Sequence, residues 1–250
     1  DFNNDTLPDV VAANINTNNL SLFLNLNNPN ALYGATVNTQ RFDLALPGQP
    51  TRVMAVDLDG DKKQDLLTVM LSNNAPTLGV YIGNASATSP FFTATSAATY
   101  GSNNANQNPQ WFDVGDVNGD GKIDCIVSDQ GTNTLRVFLG NGTQTNTFQA
   151  ALNPIPVGSG PQQIAIADFN GDGKLDVVVA NLNSNNVSVL IGNGDGTFPT
   201  RQDFNSFNQP YGVYAMDFNN DGRMDFATVN QQTQAANGAG NLIVYSNTSQ

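Results

Sequence analysis

The chain has 250 residues, enough for one large all-β domain or two smaller ones, and 39% of them are hydrophobic, which suffices for a sizeable core. It is acidic, with a formal net charge of −12 and only 12% charged residues. That balance excludes the basic surface that nucleic acids or anionic membranes require. No apolar run approaches the roughly 20 residues that span a bilayer, so no membrane insertion is expected. There is no Met at position 1 and no signal-peptide pattern, so the chain reads as mature or excerpted. It contains no His and no Glu, which excludes a Ser-His-Asp triad and His-ligated zinc. The one Cys, Cys125, cannot form an internal disulfide and reads as a small buried hydrophobe on a strand. Abundant Asn, Gln, Ser, Thr and Gly give the polar, nearly uncharged surface seen in many secreted proteins.

The elements repeat along the chain. It opens on an acidic loop, Asp1–Asp9, followed by short apolar runs at Val10–Ala13 and Leu20–Leu24. The second repeat has Pro50, a run at Val53–Val56, the loop Asp57–Asp65, and runs at Leu66–Met70 and Leu78–Ile82. The third has Pro109, Trp111–Val114, the loop Asp116–Asp124, Cys125–Val127 and Leu135–Leu139, then the turn Gly140-Asn141-Gly142 and a weaker fourth segment near Phe148. The fourth has Pro161, Ile164–Ala167, the loop Asp168–Asp176, Val177–Ala180 and Val187–Ile191, then the turn Gly192–Gly196 and a fourth segment at Phe198–Phe204. The fifth has Pro210, Val213–Met216, the loop Asp217–Asp225, Phe226–Val229 and Leu242–Tyr245. Successive loops start 56, 59, 52 and 49 residues apart, and each Pro stands seven residues before its loop. A period of this size points to a solenoid or propeller.

Runs of three to five residues rich in Val, Ile, Leu and Phe and bounded by Gly, Asn or Pro predict strands. The run Val177-Val178-Val179 is apolar on both faces and needs cover on both sides, as blades of a propeller provide. The predicted unit has three or four antiparallel strands, with the acidic loop joining the first to the second. Thr93–Asn108 and Gln231–Gly240 read as long surface loops, so residues 1–250 form a single region of repeats with loops beginning at 1, 57, 116, 168 and 217.

Sixteen of the twenty-one acidic residues lie in the five loops. Oxygen-bearing side chains at positions 1, 3, 5 and 9, with a backbone carbonyl at position 7, suit a hard cation that takes about 6–8 oxygen ligands. The candidate ligand sets are Asp1, Asn3, Asp5, Leu7 and Asp9; Asp57, Asp59, Asp61, Lys63 and Asp65; Asp116, Asn118, Asp120, Lys122 and Asp124; Asp168, Asn170, Asp172, Lys174 and Asp176; and Asp217, Asn219, Asp221, Arg223 and Asp225. Leu7, Lys63, Lys122, Lys174 and Arg223 would act through their carbonyls. Magnesium fits less well, because it prefers octahedral geometry and retained waters. Five calcium ions would move the net charge from −12 to −2. Side chains at positions 2, 4, 6 and 8 are free, and Phe169 can pack into its blade. Only the third and fourth loops have Gly at both positions 4 and 6, where a tight turn calls for positive φ. The first loop, with Asn4 and Thr6, is expected to be the weakest site. The second is weakened in geometry by Lys62 and helped by the charge of Asp59.

These residues resemble the FG-GAP/VCBS repeat family, the repeat of the integrin α-subunit propeller. The match is fullest at Ile164–Asn181 and in the segment Val187–Phe198, nearly as full in the third repeat, and covers essentially the whole chain. The resemblance implies an all-β β-propeller of four-stranded antiparallel blades, with the five repeats here part of a ring of about seven, and calcium in loops at one rim. It also implies a secreted or cell-surface location and roles in adhesion, ligand binding or sugar recognition. The first repeat lacks an inner strand and the fifth lacks its final segment. Either residues beyond both ends are absent, which is the preferred reading, or neighbouring copies of the chain supply the strands, or a five-bladed ring closes in some other way.

The expected function is a non-enzymatic, calcium-binding extracellular module that engages a protein or glycan partner or builds a surface assembly. The alternative is a lectin, with Trp111 and Tyr211, just after the repeat prolines, as candidate ligand contacts. A hydrolase or hydrolase accessory domain is disfavoured, because only Asp43, Asp113, Asp129, Asp195 and Asp203 lie outside the loops. Six Asn-x-Ser/Thr sequons, at Asn4, Asn19, Asn84, Asn141, Asn186 and Asn247, make the chain a possible glycoprotein.

Overall fold

The computed structural model describes residues 1–25, 39–72, 75–84, 91–95, 98–99, 106–145, 147–206, 208–231 and 242–248, and its regular structure there is entirely β. Five antiparallel sheets follow one another along the chain. Sheet 1 contains β1 (Val10–Asn14), β2 (Asn19–Asn25) and β3 (Thr39–Ala45). Sheet 2 contains β4 (Gln49–Val56), β5 (Asp65–Ser72), β6 (Ala75–Gly83) and β7 (Phe92–Ala94), with β8 (Ala98–Thr99) also paired to β6. Sheet 3 contains β9 (Pro109–Gly115), β10 (Asp124–Asp129), β11 (Thr134–Phe138) and β12 (Ile155–Pro156). Sheet 4 contains β13 (Pro161–Ala167), β14 (Asp176–Asn181), β15 (Asn186–Ile191) and β16 (Thr200–Asn205), and sheet 5 contains β17 (Pro210–Met216), β18 (Asp225–Asn230) and β19 (Leu242–Tyr245). In each sheet sequence order is spatial order, as in the blades of a propeller.

The chain divides into two compact units, residues 1–105 with 141–149, and residues 106–140 with 150–250. The predicted apolar runs all fall on strands, with Leu139 one residue beyond β11. The weak fourth strand expected near Phe148 is a correction. That residue is buried and forms only an isolated β-bridge, segment 141–149 belongs to the first unit, and the paired fourth strand of sheet 3 is β12, through Thr134–Pro156 and Leu135–Ile155. The predicted loop Thr93–Asn108 contains the end of β7 and all of β8, while residues 100–105 and 232–241 lie outside the described residues.

The repeat prolines each sit on the first strand of a sheet, where the pairing register slips: between Pro50 and Arg52, Ser128 and Asp129 (opposite Trp111 and Pro109), Pro161 and Ile164, and Pro210 and Gly212. Proline cannot donate to the ladder, and a bulge beside it accommodates the missing bond.

Period-two alternation sorts each strand onto two faces, and both faces are used. In the first unit Leu20, Leu22 and Leu24 of sheet 1 pack with Leu66, Met70 and Tyr81 of sheet 2. In the second unit Val177 and Val179 pack with Ile126 and Val137 of sheet 3, while Val178 and Ala180 pack with Val213 and Phe226 of sheet 5. The continuous valine run is therefore covered on both sides, as its composition requires. Cys125 is fully buried on β10. Truncating Ile126 to Ala between sheets 3 and 4 is expected to cost about 2–5 kcal/mol in urea-monitored unfolding, as for other buried large-to-small changes.

Candidate metal centres

Each acidic loop joins the first two strands of a sheet, except in sheet 1, where it leads into β1. The five loops close on themselves in one way. The position-1 carboxylate accepts the N–H of position 6: Thr6 at 2.7 Å, Lys62 at 2.8 Å, Gly121 at 2.7 Å, Gly173 at 2.8 Å and Gly222 at 2.8 Å. The position-3 side-chain oxygen accepts the N–H of position 5 at 2.9–3.2 Å. The position-5 carboxylate accepts the N–H of position 7 at 2.9–3.0 Å. Successive hydrogen bonds of this kind gather the odd-numbered oxygens on the inside of the turn.

The same closure forces positive φ at positions 4 and 6 in every loop, whatever residue stands there. Gly171 and Gly173 adopt 76° and 82°, while Asn4, Thr6, Lys62 and Asn220 adopt 64°, 72°, 68° and 61°. A left-handed conformation costs an L-residue roughly 1–2 kcal/mol, and a β-branched residue most. Thr6, the β-branched one, is therefore the most strained of these positions.

Position 9 has a second role that the ligand pattern does not reveal. One oxygen of its carboxylate accepts the N–H of position 2, and the other accepts an N–H just after or at the end of the third strand, or of β2 in sheet 1. Asp176 takes Phe169 N–H at 2.9 Å and Gly192 N–H at 2.8 Å; Asp65 takes Leu58 and Gly83, both at 2.8 Å. Asp124 takes Val117 and Gly140, Asp225 takes Phe218 and Asn247, and Asp9 takes Phe2 and Asn25. Asp65, Asp124, Asp176 and Asp225 are fully buried. Burial pushes the carboxyl of Asp65 up to about 6 and raises those of Asp124 and Asp176. The position-2 side chain turns inward as expected, with Phe2, Leu58, Val117 and Phe169 buried, whereas Phe218 is 43% exposed.

In the second loop carboxylate oxygens of Asp57, Asp59 and Asp61 lie within 4.8 Å of one another, and Asp59 Oδ2 is buried without a hydrogen-bond partner. An all-oxygen donor set with an orphaned buried carboxylate oxygen fits a calcium-type cation. At the outer edge of the loops the position-7 cations reach back to position 5: Lys63 to Asp61 at 2.6 Å, Lys122 to Asp120 at 3.3 Å and Arg223 to Asp221 at 3.2 Å. The side-chain hydrogen bonds from Lys63 and Arg223 hold Asp61 and Asp221 below the usual carboxylate range.

The two aromatic candidates separate. Trp111 is partly buried against the core between sheets 3 and 4, while Tyr211 stands at the bulge of β17 and is 52% exposed.

The carboxylates outside the loops have structural partners. Asp43 accepts from Ser21 Oγ at 2.6 Å and pairs with Arg41; Asp203 accepts from Ser188 Oγ at 2.6 Å and pairs with Arg201. Asp129 accepts the N–H groups of Asn108, Gly131 and Thr132, Asp113 that of Ile166, and Asp195 those of the Thr197 backbone and hydroxyl.

A family model for the FG-GAP-like repeat matches residues 1–68, 116–179 and 168–228, over half of the chain. The chain belongs to the FG-GAP-like repeat family. No curated protein matches it in sequence. Its fold is similar to that of BBS1N, solved in complex with ARL6DN, with a TM-score of 0.57 at 15% identity over 97% of this chain and 73% of that one. It is similar to the Vibrio cholerae biofilm matrix protein Bap1, with a TM-score of 0.53 at 14% identity over 98% of this chain and 36% of that one. It is also similar to a putative 6-phosphogluconolactonase from Bacteroides fragilis, with a TM-score of 0.52 at 15% identity over 92% of this chain and 64% of that one. At these identities the likeness is one of fold, that of the β-propeller.

Two measurements test the reading of position 9. Asp176→Ala strands two backbone N–H groups, at a cost of about 1–3 kcal/mol for each that is left buried and unpaired. Asp172→Ala, in the exposed part of the same loop, should cost much less in metal-free protein. Because the folded-state pKa of Asp65, about 6, exceeds the ordinary 3.8, the native state binds more protons between those values. Metal-free protein should therefore lose stability as pH rises through that window. Calorimetric melting at pH 4.5 and pH 7 should show the higher Tm at the lower pH, and Asp65→Asn should shrink the difference.

Proposed function

We propose that this FG-GAP-like protein is a calcium-stabilised β-propeller scaffold that works outside the cell by holding a partner, in adhesion, protein interaction or surface assembly, and performs no catalysis. The observation that carries the calcium reading is the convergence of Asp57, Asp59 and Asp61, with a buried Asp59 oxygen that nothing in the loop satisfies. The same closed turn recurs in the other four loops, so each is a candidate site. Asp57, Asp59 and Asp61, and their counterparts at positions 1, 3 and 5, would hold the ion. Its charge would offset carboxylates that otherwise repel at close range. The position-9 carboxylates, whose oxygens each keep a second lone pair, would serve both as clamp and as ligand.

The non-catalytic reading is supported by the partners of Asp43, Asp113, Asp129, Asp195 and Asp203, each held by neighbouring donors. Among the described residues no helix is long and apolar enough to cross a membrane. The solved complex of BBS1N with ARL6DN and the biofilm matrix protein Bap1 are examples of a similar fold in a protein complex and in a biofilm matrix protein. The lectin reading draws less support, because Trp111 is partly buried against the core and leaves Tyr211 as the exposed ring of the two candidates.

Thermal unfolding with and without calcium tests the central claim. A ligand that binds only the folded state at a hundredfold excess over its Kd adds about 2.7 kcal/mol per site, so Tm should rise by several degrees and fall again on chelation. An unchanged Tm, with no calcium uptake by calorimetry, would defeat the reading. The double variant Asp57→Asn with Asp59→Asn should lower the bound stoichiometry by one.

A further inference from the structure

The position-9 clamps of sheets 3, 4 and 5, which lie in one compact unit, are joined to one another. The joint is the peptide group on either side of position 2. The position-2 N–H is held by the clamp of its own sheet: Val117 donates to Asp124 at 2.9 Å and Phe169 to Asp176 at 2.9 Å. The position-2 carbonyl accepts from the segment that follows the third strand of the next sheet. The Val117 carbonyl takes the N–H of Gly196 at 3.1 Å, and the Phe169 carbonyl takes Asn247 Nδ2 at 2.6 Å. Each of those segments is tied in turn to the clamp of its own sheet, Gly192 N–H to Asp176 at 2.8 Å and Asn247 N–H to Asp225 at 2.6 Å. A path of hydrogen bonds and short backbone therefore runs from Asp124 through Asp176 to Asp225.

The two links differ in length. Between the fourth and fifth loops the link is one residue, Asn247, whose main chain carries one end and whose side chain carries the other. Between the third and fourth loops it is the turn Gly192–Gly196. That turn is braced internally, with Asn193 donating to the Thr197 carbonyl at 2.9 Å and Asp195 accepting the Thr197 N–H at 2.9 Å. It is also wedged between its neighbours. A Cβ added at Gly194 would stand 3.1 Å from Lys174 Cδ, and one added at Gly196 would stand 3.0 Å from Leu139 Cδ2. Phe198 anchors the far end, buried in the core between sheets 3 and 4. A close-packed turn of this kind transmits strain rather than absorbing it.

Position 2 stands between two candidate ligand positions. Asp116 and Asn118 flank Val117, and Asp168 and Asn170 flank Phe169. Drawing both flanking side chains onto one ion fixes the backbone between them, and with it the donor from the next sheet. The ordering that an ion imposes on the fourth loop is then partly in place for its neighbours, which gives positive coupling without a change of fold. We propose that the third, fourth and fifth loops bind calcium as a coupled set, the fourth tightening both neighbours through Gly192–Gly196 and through Asn247. The coupling rests on the calcium reading of the loops and adds a regulation to it. Coupling between sites is reciprocal and is typically on the order of 5- to 150-fold in affinity.

Glycine amides give a separate readout for each loop. Gly121, Gly173 and Gly222 donate to the position-1 carboxylates of the third, fourth and fifth loops, and Gly60 donates to Asp57 in the second. The full chain, with isotope-labelled glycine, is titrated with calcium and followed by NMR. The fourth loop is disabled by Asp168→Asn with Asp172→Asn, which keeps Asp176 and its clamp. One of its three carboxylates remains, so the empty variant loop has the same formal carboxylate charge, −1, as the native loop with calcium bound. An effect on the neighbours is then not one of net charge. Affinity at the third and fifth loops should fall at least about fivefold, with the second loop unmoved. Asn247→Ala keeps the backbone N–H on Asp225 and removes only the side-chain link. It should weaken the fifth loop by a similar factor in the native background and by nothing further in the Asp168→Asn, Asp172→Asn background, a non-additivity that a merely local loss of stability does not produce. Calcium shifts at these glycines with unchanged or tighter binding at the third and fifth loops of the double variant overturn the coupling and leave the calcium reading standing. Asn247→Ala that leaves the fifth loop unchanged, or that adds its full effect in the double variant, overturns it as well, and the first of these needs no double variant that folds. No calcium-dependent shift at Gly121, Gly173 and Gly222 overturns both.

Discussion

The carboxylate that opens the second strand is the constraint on which the rest depends. In sheets 2 to 5 it bridges the start of the acidic loop and the end of the third strand, and in sheet 1 the end of β2, so one side chain ties together backbone N–H groups 23 to 29 residues apart. Its burial in four of the five sheets has a desolvation cost, offset only because both oxygens accept charge-assisted hydrogen bonds from backbone N–H groups. Those N–H groups lie in the loop and at strand ends, and in sheets 2, 3 and 4 they would otherwise be unpaired in a buried place. The clamp therefore satisfies donor and acceptor together. It fixes where the loop begins relative to the hairpin that follows, and so brings positions 1, 3 and 5 to the same corner of every sheet.

With that corner set, packing follows from the pleat. A strand such as Val177-Val178-Val179 presents alternate residues to the sheet before and the sheet after. A polar relay recurs as well: Asn14, Ser21, Asp43 and Arg41 in sheet 1 repeat as Asn181, Ser188, Asp203 and Arg201 in sheet 4. In sheet 4 that relay continues to sheet 3, where Arg201 Nη1 donates to the Pro156 carbonyl at 3.4 Å. Buried apolar rows supply most of the cohesion between sheets, while the relay fixes how one outer strand lies against the next.

Much of this was legible in the residues because it depends on local pattern. Short β-branched runs between Gly, Asn and Pro marked β1 and β2 and the first three strands of the other sheets, and the glycines at positions 4 and 6 announced the positive φ that the loops adopt. Outer strands were harder. β3 mixes Gln40, Arg41 and Asp43 with its apolar residues, and β12 has two residues, so neither carries a clear hydrophobic signal. Phe148 looked like an outer strand because burial and strand propensity give the same apolar letter. The double duty of position 9 was hidden because a metal ligand and a hydrogen-bonded clamp both call for Asp. The recurrence of Arg-x-Asp at 41–43 and 201–203 was a readable sign of the relay.

The loop carboxylates thus fall into two populations with different electrostatics. Those at position 9 are held by two N–H donors and shielded by the protein. Those at positions 1, 3 and 5 also accept backbone N–H groups, but these partial charges do not cancel the repulsion between neighbouring anions. The compensation from whole charges comes from Lys63, Lys122 and Arg223, in pairs that are partly exposed. Such pairs are worth about 0–1 kcal/mol. They bind the outer oxygen of position 5 and leave the inner side of the turn uncompensated. A divalent cation on that inner side would add charge where the side-chain cations do not reach. The repeat could therefore keep the clamp, the turn and the packing constant, and a bound ion would set how firmly each corner is held.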